Sequence, residues 1–474
     1  MGRFNVSTQP TKTINRAGGE AYTQNPQLHF VSLLLTSFVT DQYYRSADET
    51  LKEVSQLIDA IPDKKFTAKA AIYARTKYGM RSISHVVAAE VANRVKGEAW
   101  IRSFLDKVVY RPDDITEIMA YYKALSGKRQ SHAMRKGFAA ALGRFDAYKL
   151  AKYKGAGKDI SLIDVTNLTH PKHTEPLGQL IKGTLPTPDT WEAKLTQAGQ
   201  KATSDEEKVA FKKEVWTQLI KERKIGYFAL LRNLRNILEQ APELVPDAIS
   251  LLTDEKLIRS SLVLPFRFLT AMEEIEQCNG LGVREVLGGL SIAIDIATSN
   301  VPKLDGDTLV VLDGSGSMSG KPIKIGSLFA AVLIKANNAD YMTFSDDAKY
   351  QTYNPMDSTM TIARMMEKGI VSGGTNFHAI FETANRDYDR VIILSDMQGW
   401  VGYNAPTQSF AEYKRRVGVN PRIYSFDLQG YGSLQFPEDN VYCLAGFSEK
   451  VFDILKLLET DKQALLHEIE KIEL

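Results

Sequence analysis

The 474-residue sequence predicts a multidomain protein, an all-α array of paired helices followed by a doubly wound α/β domain. Three observations predict it. Apolar residues recur at spacings of three and four through the first 300 residues, short apolar runs alternate with helical segments beyond Val301, and the chain is too long for one small core. The predicted domains are residues 1–300 and 301–474.

In the first part, "ETLKEVSQLIDAI", "FTAKAAIYARTKYG", "VVAAEVANRVKG", "IRSFLDKVVY", "DDITEIMAYYKALSG" and "MRKGFAAALGRFDAYKLAKYK" each carry the helical period. They end at Gly or Pro and are joined by brief connections such as "IPDKKF" and "YRPDDI". Without a fixed-period consensus this reads as a degenerate helical repeat, whose stacked pairs present a broad concave surface. A polar insert, Thr184 to Glu206, interrupts the pattern before "VAFKKEVWTQLIKE" and "YFALLRNLRNILEQ" resume it. Strand signals are nearly absent from this part.

Beyond Val301, "DTLVVLD", "DYMTFS", "RVIILSD", "RIYSFDL" and "NVYCLAG" read as strands. Between them lie helix-like segments such as "IKIGSLFAAVLIKAN", "HAIFETANRD" and "EKVFDILKLLET". Near-continuous apolar strands alternating with helices mean a parallel sheet covered on both faces.

Charge separates the two parts. Residues 301–474 carry 17 Lys and Arg against 23 Asp and Glu, and the first 300 carry 42 against 34. Lys128 to Lys172 supplies most of the excess, with 10 basic and 3 acidic residues plus His132 and His170. Such a field is what a polyanion partner requires. The apolar stretch "FVSLLLTSFV" is half the length that crosses a bilayer, no leader pattern precedes it, and Val6 breaks the lipidation signal in "MGRFNV". A cytoplasmic protein with no membrane partner is expected. Cys278 and Cys443 lie far apart and form neither a zinc spacing nor a disulfide framework.

The most pointed motif is "VVLDGSGSMSGKPIKIG", where a strand breaks at Asp313 into a Gly/Ser loop. A phosphate-binding loop would need four residues between its glycines and then Lys-Ser/Thr; here the spacings are three or five, and Pro322 replaces the hydroxyl. Asp313, Ser315 and Ser317, spaced by two, can instead aim their oxygens at one point. Thr375 in "SGGTNFH" and Asp396 in "VIILSDMQ" complete a set of two carboxylates and three hydroxyls. Hard oxygen donors suit a divalent ion, Mg2+ first, with Mn2+ and Ca2+ as alternatives. So few protein charges leave an open position for an acidic protein ligand. Hydrolysis would also need a general base, for which His378 and Asp346 are nearest in sequence.

This constellation resembles the metal-ion-dependent adhesion site of von Willebrand factor A domains. With the helical array before it, the chain resembles the bacterial-type Ro autoantigen family. The resemblance is carried by "INRAGGEAY" with "YYRSADETL", by "LAKYKGAGKDISLIDVTNLTHPKH", and by "YFALLRNLRNI". It implies a TROVE module of HEAT-like helical repeats closed into a ring, with the A domain clasping its ends, and no catalytic activity. It also implies Y RNA-like small noncoding RNAs on a basic outer surface and 3′ ends of misfolded RNAs in the central hole, in RNA quality control. A 3′ exoribonuclease, polynucleotide phosphorylase, is the implied partner through the RNA. Lys152, Lys154, Lys158, His170 and Lys172 fall in the segment matching the family's Y RNA contacts, and Lys128, Arg129, His132, Arg135 and Lys136 extend it. Arg232 and Arg235 share one helix face and are candidates to line the ring, and Tyr43, Tyr44 and Tyr78 are candidates to stack on bases. The insert has no counterpart in the resemblance, and no nuclease signature appears in the helical part. The competing reading is a metal-dependent protein-docking module, of adhesion or chelatase type, with an incidental basic face.

Overall fold

The computed structural model describes residues 11–474 except 38, 40–44, 128, 154–158, 188–189, 262, 264, 299–302, 371–372, 403–404, 439, 445–453, 457, 460 and 462. The chain forms two compact units. One comprises Met1–Glu53, Leu262–Thr270 and Leu290–His467; the other comprises Val54–Ser261, Ala271–Gly289 and Glu468–Leu474. A single cut at 300/301 therefore does not describe them.

The first unit is α/β. Its strands are β1 (Lys12–Ile14), β2 (Glu20–Thr23), β3 (Thr308–Asp313), β4 (Asp340–Phe344), β5 (Ala348–Gln351), β6 (Arg390–Ser395), β7 (Arg422–Asp427), β8 (Ser433–Leu434) and β9 (Val441–Leu444). Six of them make one sheet in the order β5-β4-β3-β6-β7-β9, parallel except at the β4–β5 edge. All five runs read as strands are strands of this sheet. The edge strand β5 was not legible, because "AKYQ" has no fully buried residue and is held by its partner β4. β3 and β6 are buried along their whole length, as a strand covered on both faces must be. One face packs Leu309, Val311 and Ile393 against Phe377, Phe381, Phe410 and Phe436, the last two rings 5.7 Å apart edge to face. On the other face the helix Lys321–Asn337 approaches Leu312 so closely at Gly326 that a Cβ there would lie 2.9 Å from Leu312 Cδ1.

The N-terminal segment departs from the helical expectation. β1 and β2 form a hairpin, and β2 pairs with β8 to make a three-stranded sheet. Buried Arg45 joins the same unit by donating to the Gln429 and Gly430 carbonyls. Those ties are long-range, so no local period announces them.

The second unit is helical. Lys64–Lys77 packs on Ser82–Arg94, Ser82–Arg94 on Pro112–Ser126, and Trp100–Val108 on His132–Leu142. Local chemistry sets the ends: Asp63, Ser131, Asp146 and Thr174 cap N-termini through side-chain oxygens, and Gly127 and Gly183 close C-termini in the left-handed region. The insert is not an interruption. It carries the helix Trp191–Lys201, whose Trp191 stacks on Trp216 at 6.4 Å, and the next helix already starts at Asp205. Polar composition hid a helix that buries Ala198 and anchors through one aromatic pair. No helix among the described residues is long and apolar enough to cross a membrane.

Candidate metal centre and candidate nucleic-acid interface

From β3 the chain moves outward to β4 and β5, then returns to β6 at the other edge of β3 and moves outward to β7 and β9. A doubly wound sheet opens a crevice where its order reverses, here beyond the carboxyl ends of β3 and β6. Asp313 is the last residue of β3, and Asp396 directly follows β6. Both are fully buried, with Ser315, Ser317 and Thr375 buried beside the same loops. Ser315 and Ser317 place their hydroxyls 3.2 Å apart, and Ser315 N–H donates to Asp313 Oδ1 at 2.8 Å.

The three loops are bonded to one another. Gly316 N–H donates to the Gly373 carbonyl, and Trp400 and Val401 N–H donate to the Thr375 carbonyl. A Cβ at Gly373 would overlap the Asp346 carboxylate, which explains the paired glycines before Thr375. All five residues predicted as ligands are thus carried on mutually tied loops at the switch point.

The donor set fits a hard cation. Asp396 Oδ2 is buried with no hydrogen-bond partner, and among the described residues no lysine or arginine forms an ion pair with Asp313 or Asp396. Burial pushes both carboxyls well above the usual range, and for Asp396 the neighbouring Asp313 charge adds to it. Two buried carboxylates without a positive neighbour are what a divalent ion would satisfy. Among the described residues no group of three or more His, Cys, Asp or Glu side chains is placed to hold a metal ion, so an ion here would rest on two carboxylates and on hydroxyls.

The two candidate bases have structural occupations. His378 Nδ1 lies 2.9 Å from Ser409 Oγ, and Asp346 Oδ1 accepts from Gly374 N–H at 2.8 Å. Three neighbours escaped the sequence reading. Ser395 Oγ donates to Asp313 Oδ2 at 2.5 Å, Gln398 N–H to Asp396 Oδ1, and buried Asp427 at the end of β7 accepts from Gln429, Gly430 and Gly432 N–H. Asp427 had a signal: "SFDLQGYG" repeats the pattern of a strand ending at Asp before a glycine loop.

The basic residues lie in the helical unit. Arg129, His132, Lys136, Lys152, His170 and Lys172 are exposed and Arg135 is half-buried. Lys128, Lys154, Lys158, Tyr43 and Tyr44 lie outside the described residues. The helices concerned are neighbours: His132–Leu142 packs on Leu162–Thr169, that on Glu175–Lys182, and that on Ala147–Lys152. A Ser161/Asp164 capping box starts the helix Leu162–Thr169, and His170 ends it in the left-handed conformation, φ 47°, presented to solvent.

Arg232 and Arg235 are exposed on the helix Tyr227–Gln240, which packs against a different set of helices. Arg235 pairs with Glu239 one turn on in its own helix, at 2.8 Å. Tyr78 is a core residue, 2% exposed with its ring 5.6 Å from Tyr73, so it offers no stacking face. The exposed aromatics are others. Exposed Tyr148 stands 5.7 Å from Lys152 Nζ, Arg75 lies 5.2 Å over the ring of exposed Tyr110, and Arg111 lies 4.2 Å over half-buried Tyr153. "VVYRPDD" and "DAYKLAKYK" held that signal, as tyrosines adjoining basic residues.

The TROVE domain family model matches residues 32–184 and 157–285, more than half of the chain. The chain belongs to the Ro family of TROVE-domain proteins. Within this family it is 24% identical to the RNA-binding protein RO60 of Deinococcus radiodurans, over 86% of this chain and 87% of that one. It is 21% identical to rat telomerase protein component 1 over 54% of its own length, and spans only 13% of that protein. The crystal structure of the Deinococcus radiodurans RO (RSR) protein superposes with a TM-score of 0.61 at 20% identity, covering 90% of this chain and 98% of that chain. That likeness shows the fold, helical repeats with an α/β domain, as the Ro resemblance implied.

Proposed function

We propose that this Ro-family chain is a non-catalytic RNA-binding protein that holds a structured small RNA of the Y RNA type through the helices between His132 and Lys182. The observation that carries it is the run of exposed cations on four helices packed in succession and on the segments beside them, accompanied by solvent-facing Tyr148. Lys and Arg neutralise phosphates with little sequence content, and the tyrosine faces suit unstacked bases. The name of the Deinococcus relative, an RNA-binding protein, supports the same reading. Capture of misfolded RNA 3′ ends, recruitment of a 3′ exoribonuclease through the RNA, and a cytoplasmic site of action are the finer parts of the proposal.

Asp313, Ser315, Ser317, Thr375 and Asp396 would hold a divalent ion, Mg2+ by preference, which supplies a Lewis-acidic docking point for a partner's carboxylate. The protein's own loops bury and aim those oxygens. With His378 and Asp346 engaged in structural bonds, the arrangement favours docking over hydrolysis.

The decisive measurement is filter binding of a structured small RNA across a salt series. The wild-type affinity should fall steeply with salt, and Lys152→Glu with Lys172→Glu should lower it at least tenfold while flattening the slope by about one unit per lost phosphate contact. Affinity indifferent to salt and to both substitutions would refute RNA binding at this face.

A further inference from the structure

The loops that carry the cation donors are held by residues of the β1–β2 turn and by Arg45. In the turn between β1 and β2, buried Asn15 accepts from Ala17 and Gly19 N–H through Oδ1 and donates through Nδ2 to the Gly399 carbonyl at 2.5 Å. Arg16 N–H donates to Gln398 Oε1 at 2.7 Å. Gly19 lies so close to the Gly399 carbonyl that any Cβ would collide with it. These bonds fall on the segment that ties the ligand loops together: Gln398 N–H reaches Asp396 Oδ1, and Trp400 N–H reaches the Thr375 carbonyl. Met397, between Asp396 and Gln398, is a non-glycine residue at φ 60°, a conformation that needs support from its surroundings.

A second tie runs through Arg45. Its guanidinium, without solvent exposure, donates to the Gln429 and Gly430 carbonyls at 2.7 and 2.9 Å, and Gln429 Nε2 donates to the Ser317 carbonyl at 3.2 Å. Arg16 and Arg45 both pair with Glu53 and both lie over the Tyr431 ring. The hairpin thus backs Asp396 and Thr375, and Arg45 backs the loop that holds Ser317.

We propose that the Asn15–Gly19 turn and Arg45 are positioning elements of the cation site, setting its affinity without supplying a ligand. This rests on the reading of Asp313 and Asp396 as metal ligands. Outer partners that orient ligands in this way typically change metal affinity by about 10- to 100-fold.

The test is calorimetric titration of the full-length protein with Mn2+, with melting curves in metal-free buffer alongside. Asn15→Asp keeps the Oδ1 acceptor of the turn but replaces the donor to Gly399 with a charged carboxylate oxygen that repels its carbonyl; Gly19→Ala pushes the turn off the loop. The expected result is affinity weakened roughly tenfold in both variants, in Asn15→Asp in spite of its added negative charge, with both still melting cooperatively in the absence of metal. Exposed Ile14→Ser, on the same hairpin, should bind as wild type does. Wild-type affinity in Asn15→Asp and Gly19→Ala would overturn the positioning role while leaving the cation site intact. Absence of Mn2+ binding by the wild type would instead overturn the cation site itself, and this inference with it.

Discussion

Two sets of buried aspartates sit at the same depth and have opposite electrostatic lives. Asp114 in the helical unit is fully buried, yet Arg75 reaches it at 3.0 Å, Arg81 at 3.1 Å and His85 at 2.9 Å, and the Tyr110 and Arg111 N–H groups donate to it. Burial alone would raise its carboxyl, but the His85 contact and the Arg75 charge outweigh it and hold the group well below the ordinary range. Asp313 and Asp396 in the α/β unit are as deeply buried, have hydroxyl and amide neighbours, and are driven up. The difference separates a charge completed within the fold from carboxyls to which the described residues bring no counter-charge.

The sharpest way to break this contrast is Asp114→Asn. It strips a buried guanidinium of its partner and should cost about 3–5 kcal/mol, read as a large fall in the chemical denaturation midpoint. The sign with pH follows from a depressed folded pKa. Asp114 contributes fully above the unfolded carboxyl value of about 3.9 and loses that contribution as pH falls below it. The variant should therefore show a flatter acid limb than wild type. Equal stability of the two proteins would mean that the cluster is not the anchor its geometry indicates.

A smaller effect is expected at Glu53, the corresponding paired carboxylate of the α/β unit. Burial works against its charge, but His29, Arg45 and Arg16 win and lower it to about 2. Glu53→Gln should cost roughly 2 kcal/mol in urea unfolding at neutral pH. The difference from wild type should shrink as pH drops from about 4.3 towards 2, because wild type then loses the same charge.

The smallest effect on the metal-free protein, and the most telling, belongs to Asp396→Asn. Removing an uncompensated buried charge should leave stability unchanged or raise it by up to about 1 kcal/mol. The same substitution should abolish any rise in melting temperature on adding Mg2+, since a ligand that binds only the native state stabilises it by mass action. A strong loss of metal-free stability would place Asp396 with Asp114, as a structural charge.

Much of this molecule was legible in its sequence because the relevant physics is local. Period-3.6 runs, helix ends at Gly or Pro, and five near-continuous apolar strands need only neighbouring residues, and each produced the element expected. Asp313, Ser315 and Ser317 were readable because their spacing lies within one loop, and Thr375 and Asp396 because each follows a recognisable turn or strand end. The charge excess between Lys128 and Lys172 was countable without any fold.

Tertiary structure decided the rest, where partners are distant in the chain. The N-terminal hairpin exists as a sheet through β8, some 410 residues on. Only packing showed that Tyr78 is core while Tyr110 and Tyr148 face solvent, since an aromatic at a helical position has the same local pattern in either case. Whether a buried aspartate is satisfied depends on which cations the fold brings to it. The sequence alone named Asp313 and Asp396, and only the contacts made by Asp114 and those lacking at Asp396 set a satisfied carboxylate apart from an unsatisfied one.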